Sequence, residues 1–160
     1  MKLTIISLED EPEVRDAVVR DLAVFEPTVR VEPAENVDDV WEVIKEIDED
    51  GDVVAVVLAD HRMPGTTGVD FLVAMGEDER TAMASKILLT GQADQADTIK
   101  AVNQAGLDHY IAKPWKPEEL QAIVREELTA FVMATEIDPL PHLDALNAAE
   151  VMEDYKGRVF

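Results

Sequence analysis

Val53-Val-Ala-Val-Val-Leu-Ala-Asp60-His-Arg-Met-Pro-Gly65 is the stretch that decides the fold. Seven apolar residues, four of them β-branched valine, run to a carboxylate and then to a Pro-Gly turn. A short apolar run without alternation marks a strand buried on both faces, the usual state of a central parallel strand. The first charge beyond such a strand lies at its carboxyl end, where open α/β sheets hold their ligands. Asp60 is therefore the first candidate functional residue.

Working outward, residues 3–8 form a second apolar strand that runs straight into Glu9-Asp-Glu-Pro12. Pro12 suits the first turn of a helix, and Val14, Ala17, Val18, Leu22 and Phe25 follow at helical spacing. A weaker strand is expected at 29–31. Asn36 can cap a second helix with Val37, Val40, Trp41, Ile44 and Ile47 inward, closed by the acidic turn around Gly51. After Gly65, Thr66 or Thr67 can cap a third helix carrying Val69, Phe71, Leu72 and Met75, with a polar loop at 76–80. Further strands are expected at 87–90 and 110–112. Between them lies a helix with Ala96, Ile99, Val102 and Ala105 inward, stopped by Gly106. Pro117 opens a last long helix with Leu120, Ile123, Val124, Leu128 and Phe131 on its apolar face.

Five strands alternating with five helices call for parallel pairing with right-handed crossovers. The expected fold is α/β, a doubly wound, flavodoxin-like five-stranded parallel sheet in the order 2-1-3-4-5. That order sets the first and third strands side by side, so Glu9, Asp10 and Asp60 converge on one rim.

The 160 residues fit one domain with a real core. Absence of cysteine excludes disulfides, thiolate metal sites and thiol nucleophiles. A net charge of −21 opposes nucleic-acid binding. No apolar run is long enough to span a bilayer, and the first residues lack a secretory signal, so a cytoplasmic protein is expected.

Carboxylates about 5 Å apart repel by roughly 3 kcal/mol per pair at an effective dielectric near 20. Either one of them keeps its proton or a cation sits among them. An all-oxygen donor set suits Mg²⁺, which keeps several waters for a phosphate-bearing substrate. Thr90 and Lys113 finish two other buried strands on the same rim. They add a hydroxyl and a point-charge ammonium for phosphoryl oxygens. Together these residues describe a phosphoryl-accepting pocket with a carboxylate nucleophile, and hence an aspartyl-phosphate.

The segments Leu8-Glu-Asp-Glu-Pro12, Asp60-His-Arg-Met-Pro-Gly65 with Gly68, Leu89-Thr-Gly91 and Tyr110-Ile-Ala-Lys-Pro114 closely resemble the receiver domain of two-component response regulators. The resemblance covers about residues 2–131. It implies that Asp60 takes a phosphoryl group from a sensor histidine kinase, with slow self-catalysed loss and no wider enzymatic turnover. It further implies that Glu9, Asp10, Asp60 and the backbone carbonyl of Arg62 hold Mg²⁺, that Thr90 hydrogen-bonds the phosphoryl group, and that Lys113 pairs with it. Tyr110 is implied to swing inward with Thr90, reshaping the face made by the 96–105 helix, the 110–112 strand and the helix after Pro117. The same resemblance implies a cis Lys113–Pro114 bond and tuning of phosphoryl lifetime by Arg62 and Gln92. Glu9 departs from the commoner aspartate, and Gly91 from the commoner alanine; neither change removes a required group.

Residues 1–131 are thus expected to be the receiver and 132–160 an extension, helical around 142–155, with Leu143, Leu146, Ala149 and Met152 on one face. Such a short helix needs a packing partner. It is expected either to dock on its own domain or to pair with a second copy, or else to begin a linker. A homodimer would form through it or through the Tyr110 face. Output is expected through protein–protein contact with a downstream protein. Two rival readings are a phosphorylation-independent module of the same fold and an aspartyl-phosphate hydrolase; the second lacks its Asp-x-Asp motif. His61 is expected to face solvent, Trp41 to lie in the core, and Tyr110 to be partly buried. Trp115 is left between packing over its loop and exposure, and Gly65-Thr-Thr-Gly68 is a turn, lacking the lysine of a P-loop.

Overall fold

A computed structural model describes residues 1–91 and 106–159. Its strands are β1 (Leu3–Leu8), β2 (Arg30–Ala34), β3 (Val53–Asp60), β4 (Ser85–Thr90) and β5 (His109–Ala112). They pair in parallel in the order β2-β1-β3-β4-β5, as the apolar pattern predicts. The described α-helices are α1 (Pro12–Leu22), α2 (Val37–Glu49), α3 (Gly68–Met75), α4 (Pro117–Thr135) and α5 (Ala148–Val159). The helix expected at 96–105, with Ala96, Ile99, Val102 and Ala105, lies outside the described residues, as does Gln92.

Local chemistry sets the helix starts. Pro12 and Pro117 open α1 and α4, where a missing N–H costs nothing. Asn36 caps α2 by accepting from the Asp39 N–H at 2.7 Å, and Thr67, rather than Thr66, caps α3 by accepting from Asp70. β2 lies one residue later than expected at its start and runs on to Ala34, because pairing with Thr4–Leu8 of β1 holds it extended.

Two apolar layers sandwich the sheet. Leu3, Ile5, Leu58 and Ile111 pack with Leu22, Val124 and Leu128 on one side. Ile6, Leu8, Val57 and Leu88 pack with Ile44, Phe71 and Leu72 on the other. Trp41 is only partly buried, packed edge-on against Phe71 at 5.4 Å between ring centroids. No described helix is long and apolar enough to cross a membrane.

The register positions the site. β1 and β3 slip by one residue between Thr4 and Ile5, so Leu8 lies opposite Ala59 rather than Leu58. That irregularity brings Glu9 level with Asp60. Asp60 pairs with Leu89, and Thr90 with Ala112, so Thr90 and Lys113 close the same row.

The extension departs from the single expected helix. α4 runs to Thr135 and stops at Glu136 in a left-handed conformation (φ 58°). A 3₁₀ turn follows at Leu140–Ala145, and α5 then runs from Ala148 to Val159, past the expected end near residue 155. Pro139 and Pro141 deny the segment a continuous ladder of N–H donors, and Asp138 Oδ1 accepts from Leu140 N at 3.0 Å. The extension packs on its own domain, beside α4. Ala145, Leu146 and Val151 join the apolar layer beside α4. Arg125 donates to the Asp144 carbonyl at 3.0 Å, Thr129 Oγ1 accepts from Asn147 N at 2.9 Å, and Arg158 donates to the Met133 carbonyl at 2.7 Å. Arg125 and Thr129 of α4 thus satisfy backbone groups of the turn that a free tail would leave to water.

His142, 3% exposed, sits inside this docked segment, and its Nδ1 finds no hydrogen-bond partner among the described residues. Burial holds its pKa below the ordinary imidazole value, helped by the amino terminus and opposed by Asp138. The neutral ring is favoured by folding, so its stabilisation is whole above pH 6.5 and is lost as pH falls through the lowered value. Acidification from pH 7 to pH 5 is expected to lower amide protection factors across residues 140–158, taken relative to the intrinsic rate at each pH, more in the wild type than in His142→Leu. Equal loss of protection in both proteins would contradict this account.

Candidate functional site

The carboxyl ends of β1, β3, β4 and β5 deliver five polar side chains to one rim. By alternation, Glu9, Asp60 and Lys113 continue the side of the sheet occupied by Ile5, Leu58 and Ile111. Glu9 is fully buried and Asp60 is 4% exposed. One carboxylate oxygen from each of Glu9, Asp10 and Asp60 lies within 4.8 Å of the others. Lys113 Nζ donates to Asp60 Oδ1 at 2.8 Å and reaches Glu9 Oε2 at 3.4 Å. The Lys113 N–H donates to the Thr90 carbonyl at 2.8 Å, tying the ends of β4 and β5 together. Lys113–Pro114 is cis, as the resemblance implies, and Glu26–Pro27 is cis as well.

Burial pushes the Glu9 carboxyl up to about 7, reinforced by the charge of Asp60 and opposed by Lys113. The Lys113 ammonium is raised overall: burial opposes its charge, and the hydrogen bond and charge of Asp60 outweigh that. One ammonium does not balance three acids. Asp10 Oδ1 is buried and has no hydrogen-bond partner among the described residues. An orphaned carboxylate oxygen, an all-oxygen set and a partly protonated Glu9 are what a hard divalent cation would repair. The residues present therefore fit Mg²⁺.

Around this cluster the backbone is pinned. The Glu9 N–H donates to the Ala34 carbonyl at 3.0 Å, and the Glu9 carbonyl accepts from Arg15 at 2.9 Å. Glu9 Oε1 accepts from the Glu11 N–H at 3.2 Å. Arg62, two residues beyond Asp60, is exposed, and Thr90 is buried. Tyr110 is 54% exposed, a correction to its expected partial burial. β5 is the last strand of the described sheet, and only Ile111 of its four residues is buried. The Tyr110 ring stacks instead beside His109, centroids 6.4 Å apart. His61 also departs from expectation. It is buried, because its N–H donates to the Leu89 carbonyl and its own carbonyl accepts from Gly68, drawing it between β4 and α3.

Two features escaped the sequence reading. A Cβ placed on Gly68 would collide with the backbone carbonyl of Asp60 itself, so glycine there lets α3 start directly beneath the candidate nucleophile. The second is Trp115, which is partly buried against the core and donates through Nε1 to Asp21 Oδ2 at 2.9 Å. The helical spacing of α1 could not reveal that Asp21 is buried.

The family model of the response regulator receiver domain matches residues 5–125, and the chain belongs to this family. Over 127 residues it is 35% identical to the hydrogenase transcriptional regulatory protein HoxA of Cupriavidus necator, a match covering 79% of this chain and 24% of that protein. With the response regulator Rre1 of Synechocystis it shares 31% identity over 129 residues, 79% of this chain and 52% of that protein. The chain therefore spans about a quarter of the one relative and about half of the other. Among solved structures it resembles a CheY-like response regulator receiver domain protein from Methanospirillum hungatei, with TM-score 0.69, 24% identity, and 86% of this chain and all of that one covered. It also resembles a structure described as adenylate cyclase from Rhodopirellula baltica, with TM-score 0.73 and 20% identity, covering 85% and 94% of the two chains. At these identities the structural likeness shows the fold alone.

Two outcomes are expected from the site. In chelator, folding favours protonated Glu9, so its contribution is whole below pH 4.5 and is lost as pH rises through about 7. Denaturant midpoints measured from pH 5 to pH 8 should fall more in the wild type than in Glu9→Gln; parallel curves would refute the assignment. Gly68→Ala must push α3 away from β3, and a denaturant titration is expected to show a loss of about 1–3 kcal/mol, the usual cost of overpacking.

Proposed function

We propose that this receiver is a phosphorylation-controlled switch in which Asp60 takes a phosphoryl group from the phosphohistidine of a sensor histidine kinase. The single observation that carries this reading is the convergence of Glu9, Asp10, Asp60 and Lys113 on one buried rim. An Asp60 carboxylate oxygen attacks phosphorus, the phosphorus–nitrogen bond breaks, and the imidazole leaves. Glu9, Asp10, Asp60 and the backbone carbonyl of Arg62 would hold Mg²⁺, which neutralises charge on the transferring group. Lys113, now paired with Asp60, turns its ammonium to a phosphoryl oxygen, and the Thr90 hydroxyl donates to another. Nothing in this set activates water for repeated hydrolysis, so the chain acts as a phosphoacceptor and not as an enzyme with a separate substrate.

Adding the phosphoryl charge redistributes the ion pairs of Lys113, whose backbone is joined to Thr90. That local change biases a two-state element, and the exposed Tyr110 is the aromatic side chain free to answer it by moving inward. The output is a changed affinity for a downstream protein, with the Tyr110 face as the candidate surface for that partner or for a second copy. A cytoplasmic location, where such kinases present their phosphohistidine, belongs to the same reading. The relatives are named as regulatory proteins, and about half or more of each lies outside the matched region.

The test supplies Mg²⁺ and a small phosphodonor, reading the adduct by intact mass and by its loss in hydroxylamine. Wild type is expected to form one adduct, Asp60→Asn none, and Lys113→Ala to form it about a hundredfold more slowly, the scale of losing one stabilising donor. An adduct that survives Asp60→Asn, or none in the wild type, would overturn the reading. The latter result would favour a phosphorylation-independent module.

A further inference from the structure

Asp21 is the last residue but one of α1, far along the helix from the acidic rim, yet it is one of the few charged side chains buried among the described residues. It is 6% exposed. A buried carboxylate is costly unless its oxygens are hydrogen-bonded. Its exposed neighbour Arg20 approaches Oδ1 at 3.4 Å, a long contact from a side chain that stands mostly in solvent. The short bond is from the other side, where Trp115 Nε1 donates to Oδ2 at 2.9 Å. The Asp21 backbone carbonyl also accepts from Gln121 Nε2 at 2.9 Å, joining the end of α1 to the first turns of α4.

Trp115 follows Lys113 and the cis Pro114 directly, in the loop that connects β5 to α4. On the strand side this loop is held by the Lys113 N–H on the Thr90 carbonyl at 2.8 Å. Pro114 has no N–H to add. On the helix side the indole is only partly buried, and one flank opens to a groove of about 480 Å³ between Val14, Ala17 and Pro117. Packing on one flank does not fix the ring in its plane, whereas a bond from Nε1 to a buried carboxylate does.

The geometry points to Asp21 as a positioning residue for Lys113: by holding the Trp115 indole, it fixes the loop whose lysine reaches Asp60. The claim rests on the phosphoacceptor reading for its consequence, and on the Lys113–Asp60 contact alone for its structure. In that contact the ammonium must stay within hydrogen-bond reach of a carboxylate now and of a phosphoryl oxygen later. A displacement of about 1 Å at such a group can cost two orders of magnitude in rate.

The experiment compares wild type with Asp21→Ala, Asp21→Asn and Trp115→Phe. Asparagine keeps an oxygen that accepts from Nε1, alanine removes it, and phenylalanine removes the donor while keeping most of the ring. Two readouts are taken on each protein: the rate of Asp60 modification by a small phosphodonor with Mg²⁺, and the NMR shifts of the Lys113 ammonium and the Asp60 carboxyl without phosphodonor. Asp21→Ala and Trp115→Phe are expected to slow modification about tenfold and to shift or broaden both signals. Asp21→Asn is expected to stay within about twofold of wild type, with both signals unmoved. A wild-type rate in Trp115→Phe, or an Asp21→Asn protein as impaired as Asp21→Ala, would overturn the clamp. Should Asp21→Ala fail to fold, the Trp115→Phe and Asp21→Asn pair decides alone. If wild type takes no phosphoryl group, the phosphoacceptor reading falls. The NMR comparison then still upholds or rejects the clamp.

Discussion

Three carboxylates facing one ammonium in a buried rim is the constraint on which the rest of this structure depends. Lys113 reaches Asp60 and Glu9 together, and its single charge does not balance three carboxylates. The consequences are visible locally. Glu9 holds its proton to a higher pH than a carboxyl in water, and Asp10 has a buried oxygen with no partner among the described residues. The chemistry of such a centre fits a hard divalent cation, which would offset the excess negative charge.

The scaffold spends much of its order on holding that imbalance still. A one-residue slip between β1 and β3 sets Glu9 level with Asp60. Gly68 lets α3 begin against the Asp60 carbonyl, where any side chain would intrude. Arg15 and the Ala34 carbonyl fix the backbone at Glu9 from two directions. On the far wall, the loop after β5 is tied to β4 through Lys113 and to α1 through Trp115 and Asp21. Like charges stay together only when their backbones cannot part.

The extension adds a second, independent piece of order. Leu146 and Val151 complete an apolar layer that α4 alone would leave open, while Arg125 and Thr129 receive the backbone of the turn between them. It packs beside α4 on the layer shared with Leu22 and Phe25. Tyr110, on β5, stays exposed. The tail and the aromatic face therefore do not compete for the same surface.

Much of this was legible in the residues. Apolar runs ending in polar residues at 8–9, 59–60, 89–90 and 112–113 gave the strands, their parallel pairing and the rim, since a buried strand can place a charge only where it leaves the core. Asp60, Glu9, Asp10, Thr90 and Lys113 follow from that rule, and their order matches one family. What periodicity could not supply was distance across the chain. The partner of Asp21 is 94 residues away, the register slip depends on how two strands meet, and the exposure of Tyr110 follows from its place on β5, the last strand of the described sheet. Pro139 and Pro141 rule out one continuous helix through 138–141. Only packing against α4 decided that the remainder would fold back as a 3₁₀ turn and a helix, because a short amphipathic segment takes its structure from the surface it covers.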